Sequence, residues 1–204
     1  MKRCGVIAAT IIAAALCGCS ARVTFAPIPD YRRDLCDPAA IPLTTSRDPL
    51  LRTIFRKMTA LLNDRIHAYG DIDLVTVRNH SGITTAGVCH RPIAGIATIL
   101  LADDMLVTAA GHRALEHFVA YFVGHELAHL ALRHQERATP MVDAEREADQ
   151  LGAFLFGRNG GDCAWLTKQV GTTIVGAPYE VAEQRRAMES GCRGDAPPSF
   201  GRHR

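Results

Sequence analysis

Residues 124–136 read GHELAHLALRHQE. The stretch sets two histidines and a glutamate into a run that is otherwise mostly apolar, and burying ionisable groups is costly unless something pairs with them. Phe118, Val119, Phe122, Val123, Leu127, Leu130 and Leu132 cover more than one stripe of a helix predicted over about 112–136, so this helix should be central and largely buried. His125 and His129 are four residues apart and share a helix face, which lets two imidazoles bind one metal ion together. Glu126 is offset by about 100° around the axis. This is the HExxH spacing, in which the glutamate acts as general base toward a metal-activated water. With 9 histidines and 8 glutamates in 204 residues, chance supplies about 0.02 such matches. The plainer alternative, a solvent-facing polar stripe, conflicts with the apolar flanks.

A catalytic zinc site takes three protein ligands and keeps one position open. The stretch VDAEREADQLGA at 142–153 contains Glu145, Glu147 and Asp149. Glu145 and Asp149 are again four apart and share a face. One carboxylate can bind the metal, and the other can accept the free N–H of a ligand histidine and fix its tautomer. The break at Thr139-Pro140 lets this second helix fold back on the first. Taken alone, the acidic stretch is a solvated helix start favoured by the helix dipole. Placed after HExxH, it reads as part of a site.

Working outward, Asp48-Pro49 marks a helix start, followed by Leu51, Ile54, Phe55, Met58, Leu61, Leu62 and Ile66 at helical spacing up to Gly70. The β-branched runs IDLVTVRN (72–79) and GITTAGVCH (82–90), with Ser81-Gly82 between them, predict a hairpin. IATILLA (96–102) predicts a third strand, suited to pairing with an extended substrate if it lies at an edge. A short helix is expected over 103–109, and further helices over 141–157, 163–171 and 178–190. The fold class is α+β: mainly helical, with a small antiparallel sheet and the HExxH helix at its centre. There are no internal repeats.

The N-terminus bears on the compartment. Lys2 and Arg3 precede an apolar run too short to span a bilayer comfortably, and the run ends in LCGCS at 16–20. This is a secretory signal layout and also looks like a bacterial lipobox, with Cys19 as the lipidated residue; cleavage without a lipid and an uncleaved anchor are the alternatives. By resemblance to such lipoproteins, Ser20 rather than Asp after the cysteine favours the outer membrane. The expected organisation is a signal peptide (1–18), a proline-bearing tether (19–48), one domain (49–192) and a disordered tail (193–204). Without Lys2 and Arg3, 21 basic residues face 21 acidic ones, which offers no general attraction to nucleic acid. Cys36, Cys89, Cys163 and Cys192 remain for two disulfides. Proximity along the chain favours Cys163 with Cys192 and Cys36 with Cys89. There is no CxxC pair.

HELAHLALRH followed by ExEADxxGA resembles the zinc metallopeptidases typified by the HtpX heat-shock membrane protease and the CAAX prenyl proteases, closely over 115–157 and more faintly over 50–112. The resemblance implies a zincin-like fold with one zinc ion per chain, held by His125, His129 and Glu145. It makes Glu126 the catalytic base and Asp149 the carboxylate behind the ligands. His134, nine residues after His125, is expected to face away from the metal and to be structural. His67, His80, His90 and His112 read as surface or polar-core residues. Many relatives carry a His-Pro and a following arginine late in the domain. Here the nearest match is Ala177-Pro178, with Arg185 and Arg186 further on, so the oxyanion-stabilising group is unassigned, with Tyr179, Arg185 and His117 as candidates. The expected function is zinc-dependent endopeptidase action on misfolded or envelope proteins in the periplasm. The partners would be a protein or peptide substrate and the membrane through the N-terminal lipid, with no nucleic acid and the oligomeric state open. The alternative is a non-cleaving, zinc-stabilised chaperone or adaptor in outer-membrane assembly.

Overall fold

The computed structural model describes residues 44–45, 49–66, 72–77, 86–88, 97–102, 113–171, 174 and 177–201. They are mostly helical. The first helix, α1 (Pro49–Leu61), is continued by the single turn α2 (Asn63–Ile66). Leu51, Ile54, Met58, Leu62 and Ile66 are all buried, following the helical spacing of the sequence.

The sheet contains β1 (Thr44–Thr45), β2 (Ile72–Val77), β3 (Ala86–Val88) and β4 (Ala97–Ala102), in the spatial order β1-β2-β4-β3. β1 pairs antiparallel with β2, β2 parallel with β4, and β4 antiparallel with β3. Two expectations are corrected here. The sheet is mixed rather than antiparallel, and β2 and β3 do not form a hairpin. β4 is also interior, so it does not offer a free edge to a substrate. The physical reason is composition: ATILLA is the most continuously apolar of the strands, and such a run belongs at a sheet centre with both faces covered. Its Ile99 is fully buried.

The long central helix, α3 (Arg113–Ala131), buries Val119, Tyr121, Val123, Leu127, Ala128 and Leu130. Each large side chain removed from water here contributes about 2 kcal/mol. The helix stops earlier than the apolar pattern implies. His134 N–H donates to the carbonyl of His129 (3.2 Å) and Arg133 N–H to that of Leu130 (2.9 Å), with Arg133 left-handed at φ 55°. This is the hydrogen-bond pattern of a Schellman stop, made with arginine where glycine is usual, at a cost of about 1 kcal/mol.

After a second left-handed residue, Ala138 (φ 49°), α4 (Met141–Arg158) returns across α3. The two helices cross closely because glycines meet. A Cβ on Gly124 would stand 3.2 Å from the carbonyl oxygen of Gly152, and one on Gly152 would stand 2.9 Å from the backbone N and Cα of His125. α5 (Cys163–Gln169) is capped by Asp162, whose side chain accepts from Trp165 N–H. α6 (Val181–Arg193) packs on α4 and ends at Gly194 with φ 99°.

Cys163 and Cys192 stand at disulfide distance, with Cα atoms 5.8 Å apart. Closing a loop of this length is worth about 3.5 kcal/mol in the chain-entropy account. Cys36 and Cys89 lie outside the described residues, as do the 103–109 helix, the signal and nearly all of the tether. The tail expected to be disordered is docked as far as residue 201. It forms a short helix, α7 (Pro198–Gly201), with Ser199 buried and Phe200 packed against the core beneath the guanidinium of Arg65. The aromatic anchor in PPSF outweighs the polar composition around it.

Candidate metal centre

The close α3–α4 crossing puts the carboxylates of α4 over the histidines of α3. His125 Nε2 lies 3.2 Å from Glu145 Oε2 and 3.1 Å from His129 Nε2, and His129 Nε2 lies 3.8 Å from Glu145 Oε2. All three donor atoms fall within 4.8 Å of one another. Donors about 2.0–2.1 Å from a tetrahedral ion stand roughly 3.3 Å apart, so the observed separations bracket what one ion requires. Two neutral imidazoles and one carboxylate also form a donor set suited to zinc chemistry. The residues present therefore fit a metal ion. Glu126, 9% exposed, follows His125 directly on α3.

Behind the ligands lies a buried anchor. Asp149, 2% exposed, has Oδ1 3.0 Å from His125 Nδ1. Its oxygens also accept from the hydroxyls of Tyr121 and Tyr179 and from Gln184 Nε2 at 3.0 Å. With Asp149 accepting from Nδ1–H, the Nε2 lone pair of His125 is the one presented to a metal. Burial, then the adjacent Asp149 carboxylate, raises both tyrosines above their ordinary pKa, so both stay protonated as donors.

The candidate ligands are electrostatically poised. Burial opposes charge on His125, yet its hydrogen bonds to Asp149 and Glu145 prevail and raise its pKa well above the usual value. Burial also opposes charge on Glu145, but the hydrogen bond from His125, with the His129 ring nearby, holds it far below the usual carboxylate range. Before any metal binds, His125 therefore tends to keep a second proton, which contributes stability at low pH that is lost as pH rises through its raised folded-state pKa. A metal ion must displace that proton. Apparent affinity for a divalent metal ion is accordingly expected to rise with pH, up to about tenfold per unit, until His125 is neutral. Glu145, already ionised, adds no slope near neutrality. Competition titrations at several pH values check this, and a flat profile contradicts it.

His134 departs from expectation. It does not face away, because the helix stops at Ala131 and the left-handed Arg133 turns the chain back. His134 is 5% exposed, with Nδ1 2.9 Å from His129 Nδ1 and Nε2 3.1 Å from Glu147 Oε2. Burial, then the neighbouring His129, lowers its pKa to about 4, so it is neutral at physiological pH.

The three oxyanion candidates separate. His117 packs its ring against Phe156 and Trp165, and Arg185 donates to the carbonyl of Val170 at 3.1 Å. Tyr179 is brought to the site, but its hydroxyl is given to Asp149. The sequence reading missed Tyr121, although it lies four residues before His125 on the same face. It also missed Gln184, for which the sequence carries no signal. Cys19, His67, His80, His90 and His112 lie outside the described residues. Among the described residues, no helix is long and apolar enough to cross a membrane. No protein-family model, curated protein or solved structure matches the chain.

Proposed function

We propose that the protein is a zinc-dependent endopeptidase with a zincin-like fold, related to the HtpX and CAAX prenyl protease family and exported to the bacterial cell envelope on a lipid-modified Cys19. The observation that carries the reading is the convergence of His125, His129 and Glu145 within 4.8 Å, with Glu126 adjacent on the same helix. A zinc ion held by these three residues supplies a Lewis acid that activates a water and polarises a carbonyl. Glu126 takes the proton of the attacking water as the new C–O bond forms. It returns that proton to the leaving nitrogen as the C–N bond breaks. Asp149 holds His125 in the ligating tautomer, and Tyr121, Tyr179 and Gln184 hold Asp149. An extended substrate would meet β3, which is a sheet edge among the described residues and lies against α3. Misfolded or envelope proteins suit this compartment as substrates.

The test begins with metal content. Purified protein supplied with zinc should hold about one ion per chain, and Glu145→Ala should lose it or bind it far more weakly. A well-folded wild-type chain that takes up no zinc retires the reading.

A further inference from the structure

His125 has Asp149 behind it. The second candidate ligand, His129, has no carboxylate in that position among the described residues and instead faces His134, and the contact is nitrogen to nitrogen, Nδ1 to Nδ1 at 2.9 Å. One ring must donate and the other accept. His134 Nε2 lies 3.1 Å from Glu147 Oε2, and a carboxylate can only accept, so Nε2 of His134 carries a proton. In a neutral ring the other nitrogen is then a lone pair, and Nδ1 of His134 accepts from Nδ1–H of His129. The consequence falls on the far side of His129. With its proton on Nδ1, Nε2 is free, and Nε2 is the atom lying 3.1 Å from His125 Nε2 and 3.8 Å from Glu145. Were the proton on Nε2, His129 could not ligate.

We propose that Glu147 and His134 form a positioning pair that fixes His129 in its ligating tautomer, a relay of carboxylate, imidazole and imidazole ending at the metal. The inference rests on the metal-site reading above. The geometry is built rather than incidental. The helix stop that turns His134 inward is made with a left-handed arginine, and a continued helix would have carried His134 away from His129. Arg137 secures the outer end, with Nη1 3.1 Å from the carbonyl of Leu132 and 3.5 Å from Glu147 Oε2. Thus α4 supports both ligand histidines, His125 through Asp149 and His129 through Glu147 with His134 interposed.

Two measurements test it. Long-range proton–nitrogen NMR on wild-type protein should place the His129 proton on Nδ1. Zinc titration against a competing chelator should show His134→Phe weaker by about 10- to 100-fold. His134→Asn should recover much of that loss, because the asparagine oxygen occupies the position of Nδ1 and can accept. A purely structural role for His134 would not produce this selective rescue. A His129 proton on Nε2 in the wild type overturns the inference. So does unchanged zinc affinity in His134→Phe with wild-type binding intact, which leaves the peptidase reading standing. A wild type that binds no zinc overturns both.

Discussion

Glu126→Gln is expected to lower peptide-bond cleavage by about 10²- to 10⁴-fold while zinc content stays at the wild-type level. Glutamine matches glutamate in shape, so a side chain only 9% exposed keeps its packing. Glutamine cannot take a proton from water and return it to the leaving nitrogen. The donors His125, His129 and Glu145 are untouched. Cleavage of an unstructured protein, followed beside metal analysis and a thermal melt, separates the outcomes. Retained cleavage would remove Glu126 from the reaction. Lost zinc would show that it supports the site structurally. Cellular function surviving in full would favour the non-cleaving binding role.

Gly152→Ala is expected to destabilise the fold by about 1–3 kcal/mol or more and to weaken zinc binding with it. The added methyl would stand 2.9 Å from the backbone N and Cα of His125. Backbone cannot swing aside as a flexible side chain can, so α4 must move off α3. That crossing is what brings Glu145 to the histidines. Gly201→Ala is the control: its Cβ meets nothing within 4 Å, so melting temperature and zinc affinity should hold. Equal behaviour of the two variants would refute the close-packing account.

The grouping of His125, His129 and Glu145 was legible because it depends on spacing within single helices. His125 with His129 and Glu145 with Asp149 follow from a four-residue repeat, and Pro140 marks the turn between them. The start of α4 follows Pro140, but the helix expected over 178–190 runs Val181–Arg193: Pro178 stands ahead of its start and Gly191 lies inside it, the left-handed Gly194 making the stop. The sheet was less legible, since strand order is a long-range choice: Ser81-Gly82 resembled a turn, but the apolar β4 took the central place beside β2. His134 was misread through an assumption of helix continuity, and nothing in LALRHQE announces a left-handed arginine. Gln184 reaches Asp149 across 35 positions of sequence, beyond any local pattern. Gly152 was visible in the motif, but its function as a contact with the backbone of His125 required the crossing itself.

The cross-link between Cys163 and Cys192 closes a loop of chain that contains Tyr179 and Gln184, the residues that steady Asp149 from the far side. A nascent chain in a reducing compartment would hold that brace by a longer, freer segment, and Asp149 would orient His125 less firmly. Oxidation of the pair then completes the support behind the candidate metal centre, so that the geometry around Asp149 and His125 is tied to the redox state of Cys163 and Cys192.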